Sequence, residues 1–205
     1  MGLCWSASTW NSVMPSNSLN YWISVRAMTL DEIAEAHTAV GGSARGRRFA
    51  TQQINRAYAV LLASQFQGFC RDLHTECAVL MSNAVSPAVL QPVLRAEFTH
   101  GRQLDKGNAQ PGSIGSDFGR LGLELWLAVD AHHADNPTHK RAIIELNEWR
   151  NAIVHQTLDP TKLGGTTTLQ IKQVRNWRRS CNQLALSIDE VMRSYLTAIL
   201  GVSPW

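Results

Sequence analysis

Cysteine is scarce in this chain: four in 205 residues, at Cys4, Cys70, Cys77 and Cys181. That excludes a disulfide-built scaffold. On a shared helix Cys70 and Cys77 lie about 10 Å apart along the axis, too far for a bridge. A reducing, cytoplasmic setting is the expectation. No apolar run reaches the roughly 18 residues of a membrane span, and no basic start followed by an apolar block marks a secretory leader. Charged residues make up only 17% of the chain and hydrophobic ones 44%. This excludes a disordered polyelectrolyte and leaves enough apolar side chain for a core, and the length favours one domain. Familiar catalytic signatures are missing too. There is no Gly-rich phosphate loop ending in Lys-Ser/Thr, no Gly-x-Ser-x-Gly, no His-Glu-x-x-His and no Cys-x-x-Cys. His132, His133 and His139 cluster near Asp130 and Asp135, but adjacent histidines point to different helix faces and make a poor ligand pair. No metal and no cofactor is expected.

Charge is present but uneven. The formal net charge is +3. From Lys140 to Arg179 eight basic residues face three acidic ones, an excess of five, while the rest of the chain is slightly acidic. Such a region points to phosphate-bearing partners, or is simply a solvated helix face.

Residues 1–28 stand apart: three Trp, many Ser and Asn, and one charged side chain, Arg26. They are expected to form a poorly ordered N-terminal extension, with the folded domain covering 29–205. Gly2 with Ser6 fits the loose myristoylation pattern. A plainer alternative is that the chain proper starts at Met28, with Thr29 and Glu32 forming a capping box.

The remainder reads as helices. Leu30, Ile33, Ala34 and His37 mark a short one over 29–40, stopped by Gly41-Gly42. A basic loop with Arg45, Arg47 and Arg48 follows. A long helix over 51–83 carries Ile54, Tyr58, Leu61, Leu62, Phe66, Phe69, Leu73, Cys77 and Leu80 on one face. Ser86-Pro87 opens another, ending near Leu104. Residues 105–116 read as a loop, and Asp117 or Ser116 caps a helix fading at His132-His133. Asn136-Pro137 begins a helix whose stripe is Ile143, Leu146, Trp149 and Ile153. The last helix carries Val174, Trp177, Cys181, Leu184, Ile188, Val191 and Tyr195, alternating steps of three and four: a heptad seam suited to bundle packing. The expected fold is all-α, an antiparallel bundle of four main helices with short additional ones.

The informative segment runs from Glu145 to His155. It places Arg150, Asn151 and His155 late in an amphipathic helix, with four residues between Arg and His. This arrangement resembles the HEPN superfamily (higher eukaryotes and prokaryotes nucleotide-binding), whose hallmark is Arg, four to six residues, then His, often with Asn directly after the Arg. Residues 58–74, and Gly-Asn-Ala-Gln-Pro-Gly (107–112) before Asp-Phe-Gly-Arg-Leu-Gly (117–122), are similar to the long helix and the loop of bacterial HEPN proteins of the RiboL-PSP type. The resemblance covers about 29–200.

The resemblance implies a metal-independent endoribonuclease of a bacterial toxin–antitoxin, stress-response or phage-defence system. It implies Arg150 and His155 as the catalytic pair, with Asn151 positioning phosphate. It also implies a homodimer, so that two motifs face one cleft, and an antitoxin protein as a further partner. A non-catalytic module of the same type, binding nucleotide, RNA or a protein, is the alternative. The chemistry suits the residues. Imidazole serves as acid or base near neutrality, and a guanidinium forks onto two phosphate oxygens. RNA contacts are expected from Arg45, Arg47, Arg48, Arg71, Arg175, Arg178 and Arg179.

Plain structural roles stand beside these. Arg150 could pair with a carboxylate: Leu146 and Asn147, one turn earlier, offer none, and Asp159, past the helix end, is the nearest acid that could fold back to it. His155 could serve as a helix-end imidazolium. Arg71, Asp72 and His74 form a second polar cluster in which Asp72 could orient His74 or pair with Arg71. Trp149 and Trp177 fall on apolar stripes and read as core.

Overall fold

The seam of the last helix organises the molecule. In the computed structural model, which describes residues 14–41 and 47–205 (side chains of the second span from 49 onward), Val174, Trp177, Cys181, Leu184, Ile188 and Val191 are all buried. Their helix runs from Ile171 to Leu200 and ends on Gly201 at φ +74°, a left-handed cap that glycine adopts without strain. The other α-helices, in chain order, are α1 (Asn17–Tyr21), α2 (Ala27–Val40), α3 (Arg47–Asn83), α4 (Gln91–Thr99), α5 (Pro111–Gly119), α6 (Leu125–His132) and α7 (Asn136–Val154), so the last is α8. Among the described residues there is no strand, and no helix is long and apolar enough to cross a membrane. The fold is all-α.

Contacts give the helix directions. Along α7 and α8, Asn136 meets Ser187, His139 meets Ser180 and Glu145 meets Trp177, so these two run antiparallel. Along α3 and α8, Tyr58 meets Arg178 and Glu76 lies near Asp189, so these two run parallel. The long helices therefore do not alternate strictly along every contact. One apolar cluster joins all of them, and Cys70, Cys77 and Cys181 sit in it as buried, unbridged thiols.

The N-terminal segment departs from expectation. Residues 1–13 lie outside those described, but from Ser16 onward the chain is helical and belongs to the core. The Ser16 hydroxyl accepts the Leu19 amide as an N-cap. α1 then passes through one wide π turn, Trp22–Arg26, into α2. Trp22 is buried, its ring centroid 5.8 Å from those of both Phe66 and Phe69, and its indole N–H donates to Asn182 at 3.1 Å. The Glu76 carboxylate accepts the amides of Asn17 and Ser18, each at 3.0 Å. An anion at a helix N-terminus is favoured, so the Ser/Asn-rich stretch that reads as loop docks through polar groups at its start. Nor is Thr29 a cap: its hydroxyl donates back to the Val25 carbonyl within the continuing helix.

Other boundaries also differ: the helix expected from Ser86-Pro87 to near Leu104 is a 3-10 turn, Ala88–Leu90, followed by α4, which ends at Thr99. α3 begins at Arg47, so Arg47 and Arg48 stand in its first turn rather than in a loop. α5 makes residues 111–116 helical where a loop is expected, because Pro111 suits a first helical turn and the Trp126 indole donates to its carbonyl at 2.6 Å, and the helix expected from 117 to His132 is interrupted after Gly119 and resumes as α6. Asp117 caps nothing in α5. It is buried and accepts the Gln103 and Leu104 amides, both at 2.8 Å, anchoring the 3-10 turn Gln103–Asp105.

Candidate functional site

The C-terminal end of α7 carries the Arg150, Asn151, His155 motif. Ile143, Leu146, Trp149 and Ala152 face the core and fix the helix's rotation. Arg150 and Asn151 are then left half-buried, on the flank that meets residues 107–110. That loop is stapled to α7 by two amides one turn apart. Asn147 donates to the Ala109 carbonyl at 3.1 Å, and Asn108 donates to the Asn151 side-chain oxygen at 2.6 Å. The same oxygen accepts from Arg150 Nη1 at 3.1 Å. Asn151 thus holds the guanidinium, and Asn108 holds Asn151. Sequence reasoning did not assign Asn108 or Asn147 to the site. The available signal was Asn147 and Asn151 at i, i+4 on one helix face.

Arg150 has no carboxylate partner among the described residues. Asp159 instead accepts the Thr161 amide at 3.0 Å and the Thr161 hydroxyl at 2.8 Å, bonds that hold its carboxyl below the usual range.

His155 is the C-cap of α7 and is exposed. The end is a Schellman arrangement: the Gln156 amide reaches Ile153 and the Thr157 amide reaches Ala152 at 2.9 Å. It puts Gln156 at φ +55°, a left-handed conformation that costs a non-glycine residue about 1 kcal/mol. No hydrogen bond joins Arg150 to His155 among the described residues, in keeping with their separation of about 140° on an ideal helix.

Two hollows flank this helix end. The larger, about 710 Å³, is lined by residues including Glu148, Asn151, Gln156, Leu158, Asp159 and Lys162. The smaller, about 350 Å³, is lined by Gln53, Arg56, Ile153, Gln156 and Leu158. Gln156 and Leu158 form the wall common to both.

The other expected residues lie elsewhere. The 71–74 cluster is divided. Asp72 pairs with Arg26 at 2.6 Å and lies 3.9 Å from Arg71, which is exposed. Asp72 therefore does not orient His74, which is fully buried and edge-on to Phe118. Arg102 Nη1 lies 3.3 Å from His74 Nδ1, so that nitrogen accepts and Nε2–H donates to the Asp117 carbonyl at 2.9 Å. Burial pushes this imidazole down to about 4. His74 is a neutral structural group.

Arg178 is also committed. It donates to Asp31 at 2.6 Å, to the Tyr58 hydroxyl at 3.0 Å and to the Ala27 carbonyl at 3.3 Å, tying α2 and α3 to α8. Its donors thus serve the fold, a structural role beside the expected contact with RNA. Arg175 and Arg179 are exposed on α8. Arg45 lies outside the described residues, as do the side chains of Arg47 and Arg48. Trp149 and Trp177 are core residues, 6.3 Å apart between centroids. Lys140 pairs with Asp130 at 2.5 Å and His139 meets Ser180 at 3.1 Å, and no three metal-ligating side chains converge among the described residues. Comparison of the chain with protein-family models, with curated proteins and with solved structures finds no match.

Proposed function

We propose that this chain is a metal-independent endoribonuclease of the HEPN type, acting in a bacterial toxin–antitoxin or phage-defence setting in the cytoplasm. One observation carries the reading: Arg150 is a half-buried cation with no carboxylate partner among the described residues, held by the neutral amide of Asn151. A desolvated guanidinium kept without a counter-ion suits an anion that arrives from outside. Five residues on, His155 stands exposed at the helix end.

In the proposed reaction a base takes the proton of an RNA 2′-OH. The O2′–P bond forms while the P–O5′ bond breaks, and an acid protonates the leaving O5′. The products are a 2′,3′-cyclic phosphate and a 5′-OH. Arg150 stabilises the charge that grows on the phosphorane oxygens. His155 supplies one proton site, and a second is needed. A two-fold homodimer with two facing motifs provides it, and also explains why Arg150 and His155 do not meet within one chain.

That same separation favours a second reading, a non-catalytic module that binds RNA or a partner protein, such as an antitoxin, at this helix end. One experiment decides between them. Purified wild type and His155→Ala are incubated with mixed RNA in EDTA and the product ends are mapped. Wild-type-only cleavage leaving 2′,3′-cyclic phosphates is the expected result. Cleavage by His155→Ala at the wild-type rate sinks the mechanism, and tight binding with no products favours the module.

A further inference from the structure

We infer that Arg56, on α3, is a phosphate-binding residue for single-stranded RNA, seated in the smaller hollow beside the α7 end. The inference rests on the proposed function for its ligand and adds a residue that the motif does not contain.

The argument starts from how this protein treats its arginines. Arg26, Arg102, Arg178 and Arg193 are at least partly buried, and each pairs with a carboxylate: Asp72, Asp105, Asp31 and Glu190. Arg120, also half-buried, is satisfied by the carbonyls of Glu97 and His100. Two half-buried arginines break this pattern, Arg150 and Arg56. Arg56 Nη2 makes one long bond, 3.4 Å to the Thr167 carbonyl, and its Nε is buried with no partner. No acid pairs with it among the described residues, and residues 1–13 and 42–46 contain no Asp or Glu. Leaving a donor of a cation buried and unmade costs free energy, and Arg56 combines such a donor with the lack of a carboxylate partner, so an arriving anion would complete it.

Charge then selects the hollow. In the larger one, Glu148 and Asp159 outnumber Lys162, so a phosphate meets a net negative wall. In the smaller one Arg56 is the sole charged residue among those described, beside the amides of Gln53 and Gln156. The wall of Gln156 and Leu158 joins the two. A strand seated in the smaller hollow places one phosphodiester on Arg56, against the wall of Gln156 and Leu158 that follows His155 at the α7 end.

The test is fluorescence anisotropy with a short labelled single-stranded RNA over a salt series, on the full chain carrying His155→Ala so that the probe survives. Arg56→Ala is expected to weaken binding about tenfold and to lower the slope of log K against log salt by about 0.7, one phosphate contact on a single strand. Arg56→Lys keeps the slope. Arg141→Ala, about 18 Å along α7 from Ile153, changes neither. If Arg56→Ala loses its helical circular dichroism, Arg56→Gln replaces it, with the same loss expected. Wild-type-like affinity and slope in the folded Arg56 variants overturn the inference and leave the nuclease standing. RNA binding that depends on Arg56, from a wild type that makes no cleavage products, upholds the inference and overturns the nuclease. No RNA binding at low salt overturns both.

Discussion

The guanidinium of Arg26 lies directly on the backbone of Gly68: a Cβ added there would come within 2.5 Å of Arg26 Nη1. Glycine inside a helix costs about 1 kcal/mol relative to alanine, and here it seats the arginine that bonds Gln65 and Asp72. Gly68→Ala is therefore expected to leave stability nearly unchanged, the gain of a better helix former being offset by the displaced Arg26 contacts. In an Arg26→Ala background the same change is expected to stabilise by about 1 kcal/mol. Urea unfolding of the four proteins of this cycle checks the difference.

Trp22 makes a second test. It is 2% exposed in a segment whose composition reads as disordered. Trp22→Ala is expected to cost about 3–5 kcal/mol, the usual range for a fully buried aromatic. A chain begun at Met28 loses this side chain together with the Ser16 and Glu76 docking, and is expected to unfold at a markedly lower temperature. Wild-type melting of that shortened chain would show the first helix to be dispensable.

Stability should respond to pH through two buried groups of opposite sign. His74, beside Arg102 and Asp117, is pushed down to about 4 by burial from an ordinary 6.5. Between those values the unfolded chain takes a proton the folded one refuses, so stability falls as pH drops. Asp189 is pushed up to about 6, by burial and then by nearby Glu76, from 3.8. There the folded chain holds the proton, so stability rises as pH drops through that window. Each effect is about 3 kcal/mol at most. His37 and His139, lowered by burial, act in the sense of His74. Asp189→Asn removes the opposing contribution. Its melting temperature is expected to fall more steeply than that of wild type between pH 6.5 and 4, which a thermal-shift series reads directly.

Asn108 offers a test of the motif's support. Its amide reaches the Asn151 oxygen that also holds Arg150. Under the proposed mechanism Asn108→Ala is expected to lower kcat about tenfold with KM little changed, because it loosens the arginine rather than removing it. Asn108→Asp, which keeps the size and a side-chain oxygen but loses the donor amide, is expected not to restore the rate. Equal rates in all three proteins would remove Asn108 from the site.

What could be read from the chain follows the range of the forces involved. The α8 seam and the Asn136-Pro137 start of α7 are local patterns, and both stand in the structure. Arg150, Asn151 and His155 are singled out by their spacing together with the resemblance of the surrounding segments. α5 was missed because its glycines argue for a loop, whereas its helix depends on contacts with α6: a Cβ at Gly115 would come within 2.9 Å of the Trp126 ring. The helix around Trp22 was missed because its polar composition hides the aromatic partners that α3 supplies. Asn108 was missed because it meets Asn151 across 43 residues of chain, a distance no periodicity reports.

The Ser16–Asp189 contact has a consequence for how the protein is made. It joins residues 173 apart in the chain, the start of the first described helix and the middle of the last. On a ribosome the N-terminal helix emerges early, and Glu76 and the Phe66–Phe69 surface can receive it once α3 follows. Asp189 and Asn182, which complete its seat, are synthesised 173 residues after Ser16 and 160 residues after Trp22. The buried face of Trp22 therefore stays partly uncovered until α8 is made. Closing this span costs loop entropy that local helix contacts do not, and the nascent chain carries an exposed aromatic surface that a holding chaperone can bind until α8 arrives.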